Sequence, residues 1–325
     1  MRTGYLFLIS SVWILFSCHK TANKPDPDPV ITSVDTLLDW EKIDSHLNTF
    51  IADVWFVSSS KGFFLGGDSS TYRTLDGGLT WSPIANTKAN SKLNLFFPDP
   101  QHGFVQGQSQ LQITRDGGST WITKPLPTNS ALTFLFTSPS TGYYGNIGTG
   151  LYKTTDTGTT WNLVYSDNKG SAGYYTYFST PDTGYVVTMS PTLAITTDAG
   201  ANWQPIANNL SGYTGHFLFN QLQFVNSSTG FYANSEGVLK TTDGGHTWEN
   251  VFPNKEGFVN LIKFFDIHTG YYKTDREIYK TTDGGQTWSL SCKLNSGDDI
   301  IGMNFIDQHT GWACTNSGFI LRLRQ

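Results

Sequence analysis

The chain has 325 residues, 14% of them charged and 14% aromatic, with 33 Gly and a formal net charge of −5. A net negative chain with only six Arg excludes a nucleic-acid binder that works by neutralising phosphates. Gly and aromatic richness with few charges points instead to a turn-dense all-β core, and the roughly 290 residues after the N-terminal region can bury it as one domain.

In chain order, Arg2 precedes an apolar run from Tyr5 to Phe16 that is too short to span a bilayer as a stable helix, and the run ends at Leu15-Phe16-Ser17-Cys18. The segment resembles a bacterial lipoprotein signal. That resemblance implies removal of residues 1–17 and lipidation of Cys18, the alternative being an ordinary signal peptide. Residues 18–34, with Lys24-Pro25-Asp26-Pro27-Asp28-Pro29, cannot form a core and read as a flexible tether. The expectation is an exported, membrane-anchored lipoprotein, periplasmic or cell-surface.

From residue 35 to 325 the chain is repetitive. Thr-x-Asp-x-Gly-x-Thr-Trp occurs six times, once with Asn202 in the second Thr position, and its Trp residues (Trp81, Trp121, Trp161, Trp203, Trp248, Trp288) are spaced by 40, 40, 42, 45 and 40 residues. A period of that length is one four-stranded sheet, so the units stack radially. A second signature, Phe-x5-Gly-aromatic, occurs seven times, from Phe56/Gly62 to Phe305/Gly311. The seventh unit, from Asp299 on, lacks its box. Asp39-Trp40-Glu41-Lys42-Ile43 matches the strand that follows each box, and Trp40 sits 41 residues before Trp81. The predicted fold is therefore all-β: a seven-bladed β-propeller of four-stranded antiparallel blades, the last blade closed by an N-terminal strand so that no sheet edge is left open.

Within each unit an apolar, β-branched innermost strand carries the Phe, the Gly-aromatic pair opens the second strand, a third strand often ends in Tyr-Lys-Thr, and the box turns into the fourth. The box aspartates Asp76, Asp116, Asp156, Asp198, Asp243 and Asp283 are structural in this reading. A short carboxylate two residues after a hydroxyl accepts N–H bonds of its own turn, Gly supplies positive φ, and Trp covers the gap between sheets. Six copies around a ring do not converge on one substrate.

The box resembles the Asp-box of the bacterial neuraminidase repeat. The whole unit, as in Ile278-Tyr279-Lys280-Thr281-Thr282-Asp283-Gly284-Gly285-Gln286-Thr287-Trp288, is similar to the repeat of the photosystem II assembly and stability factor family, a seven-bladed propeller. The resemblance implies an assembly role, hence a protein-binding scaffold without chemistry. Propellers with this box also include sialidases, glucanases and sorting receptors. A sialidase is disfavoured: the arginines after the signal are Arg73, Arg115, Arg276, Arg322 and Arg324, with no Arg-Ile-Pro segment and no evident triad.

The expected binding surface is the mouth formed by second-to-third-strand loops and interblade connections. Two aromatic connections, Tyr165 to Tyr177 and Asn208 to Asn220, supply Tyr174, Tyr175, Tyr213 and His216, beside Glu236, Asp275 and Arg276. These seven are the candidate ligand-binding residues, for a protein or glycan, the alternative being that the aromatics fold back over the blade ends. The competing reading is a glycan-active hydrolase using mouth carboxylates such as Glu236, Asp275, Glu277, Asp298 and Asp299. No catalytic residue, cofactor or metal site is assigned: His102, His268 and His309 fall in equivalent turns of separate blades. The expected partners are the protein or glycan ligand and the membrane through the lipid anchor, with no nucleic acid, and the chain is expected to be a monomer. Cys292 and Cys314 either pair across the last two blades or stand as separate buried thiols.

Overall fold

The computed structural model describes residues 35–324 except 48, 85–91, 108, 128–130, 147–148, 167–173, 189–191, 207–209, 211–221, 235–236, 253–258 and 296. Cys18 and the tether lie outside the described residues. Seven antiparallel sheets follow one another along the chain. Their innermost strands are Ile51–Phe56, Lys92–Phe96, Ala131–Phe136, Tyr174–Phe178, Leu222–Phe224, Leu261–Phe264 and Ile300–Asp307, defining blades one to seven. No α-helix occurs among the described residues.

The Phe-x5-Gly signature is a register device. Phe56 pairs directly with Gly62 across the first two strands of blade one, and a Cβ added to Gly62 would lie 2.6 Å from the Phe56 ring. In blade two the same Cβ on Gly103 would lie 2.2 Å from Phe97. Only Gly lets the ring lie flat on the neighbouring strand. The ring then stacks on the aromatic of the preceding blade: Phe97 on Phe63 at 4.2 Å, Phe136 on Phe104 at 3.6 Å, Phe264 on Phe231 at 3.4 Å between centroids. The box Trp meets the same Phe edge-on, as in Phe56–Trp81 at 5.9 Å. Each seam is thus a stacked pair capped by an indole.

The boxes are alike. In blade one Thr74 Oγ1 donates to Asp76 Oδ1 at 2.7 Å and accepts the Gly78 N–H at 3.0 Å, while Asp76 accepts the Thr80 N–H at 2.9 Å and its hydroxyl at 2.5 Å. Trp81 Nε1 closes the turn on the Gly78 carbonyl at 3.0 Å. Gly77 and Gly78 hold φ of 76° and 97°, the left-handed region that favours glycine. In blade four Asn202 replaces the hydroxyl donor, its Nδ2 reaching Asp198 at 2.8 Å. The Thr80 hydroxyl bond, followed by the turn's N–H bonds, pulls the Asp76 carboxyl down to about 2.

The ring closes through the N-terminus. Trp40–Asp44 is the outermost strand of blade seven, in register from Trp40 opposite Leu323 to Asp44 opposite Phe319. Trp40 is fully buried, and its ring sits 5.9 Å from Phe305, where a box Trp sits in the other blades. Its Nε1 donates to Ser291 of blade six at 3.0 Å. Trp312 of blade seven stacks on Phe56 of blade one at 3.7 Å. Before this strand, Thr36–Leu37 pairs with Lys293 and Cys292, giving blade six a fifth strand. Lys42 fastens the segment by reaching Asp35 at 2.9 Å and Asp298 at 2.8 Å. Cys292 and Cys314 are separate buried thiols.

Candidate functional site

Side chains alternate along a strand, so a Phe committed to the seam sends its predecessor into the central channel. These predecessors are Trp55, Phe96, Leu135, Tyr177, Gln223, Lys263 and Asn304, and all seven line a cavity of about 530 Å³. They form one belt, because each holds the same place in its blade. Several tie blades together: Tyr177 Oη donates to the Phe224 carbonyl at 2.9 Å, Gln223 accepts the Phe264 N–H at 2.9 Å and donates to its carbonyl at 2.6 Å, and Asn304 Oδ1 accepts the Phe56 N–H at 2.9 Å. Two residues before Trp55, Asp53 does the same toward blade two, accepting Leu95 N–H at 3.0 Å and, on its own strand, Val54 N–H at 2.9 Å, while burial pushes its carboxyl up to about 7.

Lys263 differs from the rest of the belt. Among the described residues it is the one charged side chain lining the cavity. Its ammonium lies 5.9 Å from the Phe265 ring centroid, burial lowers its pKa, and among the described residues no carboxylate or hydrogen-bond acceptor reaches it.

The mouth lies at the end where the innermost strands begin. The turn between the second and third strands of blade six places Asp275 and Arg276 there: the Asp275 carbonyl accepts Ile300 N–H at 2.6 Å, and Arg276 Nε donates to Asp299 Oδ1 at 2.9 Å. Asn260 Nδ2 donates to the Asp275 carboxylate. Beneath them Lys273 is buried and donates to the Ile300 carbonyl at 2.7 Å; burial draws its pKa down to about 8. Among the described residues two large apolar side chains are exposed at this end, Ile301 at 40% and Phe50 at 53%, the Phe50 ring lying against Gly67.

The structure places the candidate residues unequally. Asp275 and Arg276 share the blade-six turn. Tyr174 and Tyr175 lie on the innermost strand of blade four, Tyr174–Phe178, with Tyr175 half-buried against the cavity. The connection they were expected to occupy is shorter, since Asn162–Tyr165 closes blade three. Tyr213, His216 and Glu236 fall outside the described residues. The belt was missed because its members share a place and not a residue type; counting back one residue from each signature Phe finds it.

The mouth acids among the described residues are individually engaged. Glu277 takes Lys293 at 2.7 Å and Tyr279 at 2.8 Å, Asp298 takes Lys42, and Asp299 takes Arg276. The arginines are dispersed: Arg115 reaches Thr157 at the box end at 3.3 Å, Arg322 pairs with Glu41 on the outside of blade seven, and Arg276 is at the mouth. Among the described residues no three His, Cys, Asp or Glu side chains cluster as metal ligands would.

These features define a propeller whose distinctive surfaces are a channel and its mouth, framed by seams and boxes that serve the fold. The chain belongs to the photosynthesis system II assembly factor YCF48 family, whose repeat it matches over residues 32–175 and 171–297. A photosystem II assembly lipoprotein Ycf48 of Synechococcus sp. (strain CC9902) is 29% identical over 140 residues, which are 41% of this chain; the match spans 42% of that relative's length. Among solved structures, YCF48 bound to D1 peptide superposes with a TM-score of 0.70 at 17% identity, covering 90% of this chain and 99% of that one. YCF48 from Cyanidioschyzon merolae gives 0.68 at 15%, covering 88% and 98%. The GH74 enzyme of Niastella koreensis gives 0.67 at 15%, covering 86% and 53%. At these identities the structural likeness establishes the fold alone.

Proposed function

We propose that this protein is a non-catalytic scaffold that holds a segment of a partner protein at the propeller mouth, on the rim formed by blades six, seven and one. Family membership carries the reading, and a relative of the same fold is described with a bound D1 peptide. The mouth suits a polypeptide: exposed Ile301 and Phe50 offer apolar contact, and Arg276 paired with Asp299 is a polar rim that can exchange partners. Glu277 and Asp298 are held by Lys293 and Lys42, which argues against these two as a working carboxylate pair, since that needs one group free to donate and one free to attack or activate water. In this proposal residues 1–17 are a signal, Cys18 carries lipid, residues 18–34 are a tether and 35–325 form the propeller, so the scaffold works at a membrane surface; the Synechococcus relative is named a lipoprotein.

Partner capture with the membrane-anchored chain tests the binding reading. Ile301→Asp and Arg276→Ala are expected to weaken capture at least about tenfold with the unfolding midpoint nearly unchanged. Loss of turnover of a bound glycan in Glu236→Gln or Asp275→Asn, with binding intact, would instead establish the hydrolase. Cys18→Ser is expected to move the protein out of the membrane fraction; continued lipid labelling of that variant refutes the anchor.

A further inference from the structure

Beyond the mouth, the geometry points to a binding site inside the channel for an organic acid, a carboxylate carried on an aromatic or short aliphatic body. Three consecutive blades supply hydrogen-bond donors at one level of the belt: Lys263, Asn304 and Trp55 from blades six, seven and one. Asn304 spends its Oδ1 on Phe56 N–H and keeps its Nδ2 without a partner among the described residues. The Trp55 indole packs edge-on against Phe96 at 5.0 Å, and no acceptor among the described residues takes its Nε1. The opposite arc, Phe96, Leu135 and Tyr177, is apolar, and the Tyr177 hydroxyl is spent on Phe224.

A largely buried ammonium whose recorded partner is the face of one ring, Phe265, is costly compared with one joined by an anion. The other polar side chains of the belt that hydrogen-bond do so across seams, as interblade ties, whereas Lys263 has the face of the Phe265 ring and, among the described residues, no hydrogen-bond acceptor. A cavity of about 530 Å³ falls in the range that encloses small ligands, and its lining joins apolar rings to polar side chains, Asn94, Thr176, Ser179 and Thr180 besides Lys263 and Asn304. A neutral or cationic guest would leave the charge uncompensated, and phosphate would set a strongly hydrated dianion against aromatic walls. A monoanion with an apolar body satisfies both arcs. The site is separate from the mouth and stands whether or not a protein segment docks there.

Calorimetry on the full chain, with phenylacetate against phenylacetamide and with the tripeptide acetyl-Gly-Gly-Phe as free acid against its C-terminal amide, tests the site and its source. Each acid that reaches the belt is expected to bind at least about tenfold more tightly than its amide. Lys263→Met should bring the acid down to the amide's affinity, and Lys263→Arg should retain binding. Saturation by phenylacetate marks a free small acid as sufficient; saturation only by the peptide acid marks a chain terminus as the source. Equal binding of acid and amide, no saturation by either acid up to about 10 mM, or an unchanged Lys263→Met would overturn the proposal. Should Lys263→Met fail to fold, a crystal soaked in 4-bromophenylacetate decides: bromine density in the channel with the carboxylate on Lys263 supports it, and an empty belt refutes it.

Discussion

At the scale of single residues, two sets of carboxylates respond to pH with opposite sign. The box aspartates are hydrogen-bonded as anions, with Asp76, Asp116, Asp198 and Asp283 drawn down to about 2 and Asp156 and Asp243 lowered in the same direction. Their contribution is complete above the unfolded carboxylate pKa, about 4, and is lost as pH falls toward 2. Asp53 is raised to about 7 by burial, so the folded state binds its proton more tightly than the unfolded chain does. Its ionisation weakens the fold as pH rises from about 4 through 7. The thermal midpoint should therefore rise as pH is lowered from 8 to 5 and fall below 4. Asp53→Asn should flatten the first limb and leave the second, which differential scanning calorimetry across pH will show; a first limb unchanged in that variant contradicts the assignment. Asp283→Ala, which strands Thr287 N–H at an exposed turn, should cost about 1 kcal/mol. The boxes were legible in the sequence because Thr, Asp, Gly and Trp recur at fixed spacing. Asp53 was not, since nothing local marks a carboxylate that a neighbouring blade will enclose.

At the scale of strands, the pairing of Phe with Gly makes a sharp demand. A methyl on Gly103 would sit 2.2 Å from Phe97, so Gly103→Ala should destabilise by about 1 to 3 kcal/mol through overpacking. Phe97→Leu frees that space, and the double variant should recover part of the loss, a non-additivity that a double-mutant cycle in urea measures. Additive costs would mean that the glycine is required for backbone freedom and not for the ring. The strand order was legible for the same reason that the fold is stable: one seam unit is repeated seven times. Thr36–Leu37 was not, because two residues carry no alternation to read, and their place on blade six is set by pairing with Lys293 and Cys292. Tyr174 and Tyr175 show the converse, an aromatic run that read as a loop and forms an inner strand once paired with Thr188 and Val187.

At the scale of the molecule, ring closure and function separate cleanly. Closure rests on Trp40, buried completely between blades six and seven, and Trp40→Ala should cost about 3 to 5 kcal/mol; a midpoint within a degree of the parent would contradict the closing role of that strand. The fold was legible from residue 35 onward, whereas only part of the candidate site could be placed. Asp275 and Arg276 could be placed at the mouth turn because a charged turn stands out in a chain with few charges. The channel belt mixes Trp, Phe, Leu, Tyr, Gln, Lys and Asn at one structural place, and its unity exists only in the closed ring. The most direct measurement of the scaffold account is site-specific photocrosslinking in the membrane-anchored chain, with the crosslinker at Ile301 on the mouth rim or at Leu79 on the box end, both exposed. A discrete protein adduct from Ile301, absent from Leu79 and lost when Arg276→Ala is added, is the predicted result. Adducts of equal yield from both ends, or none from Ile301, would contradict a partner held at the mouth.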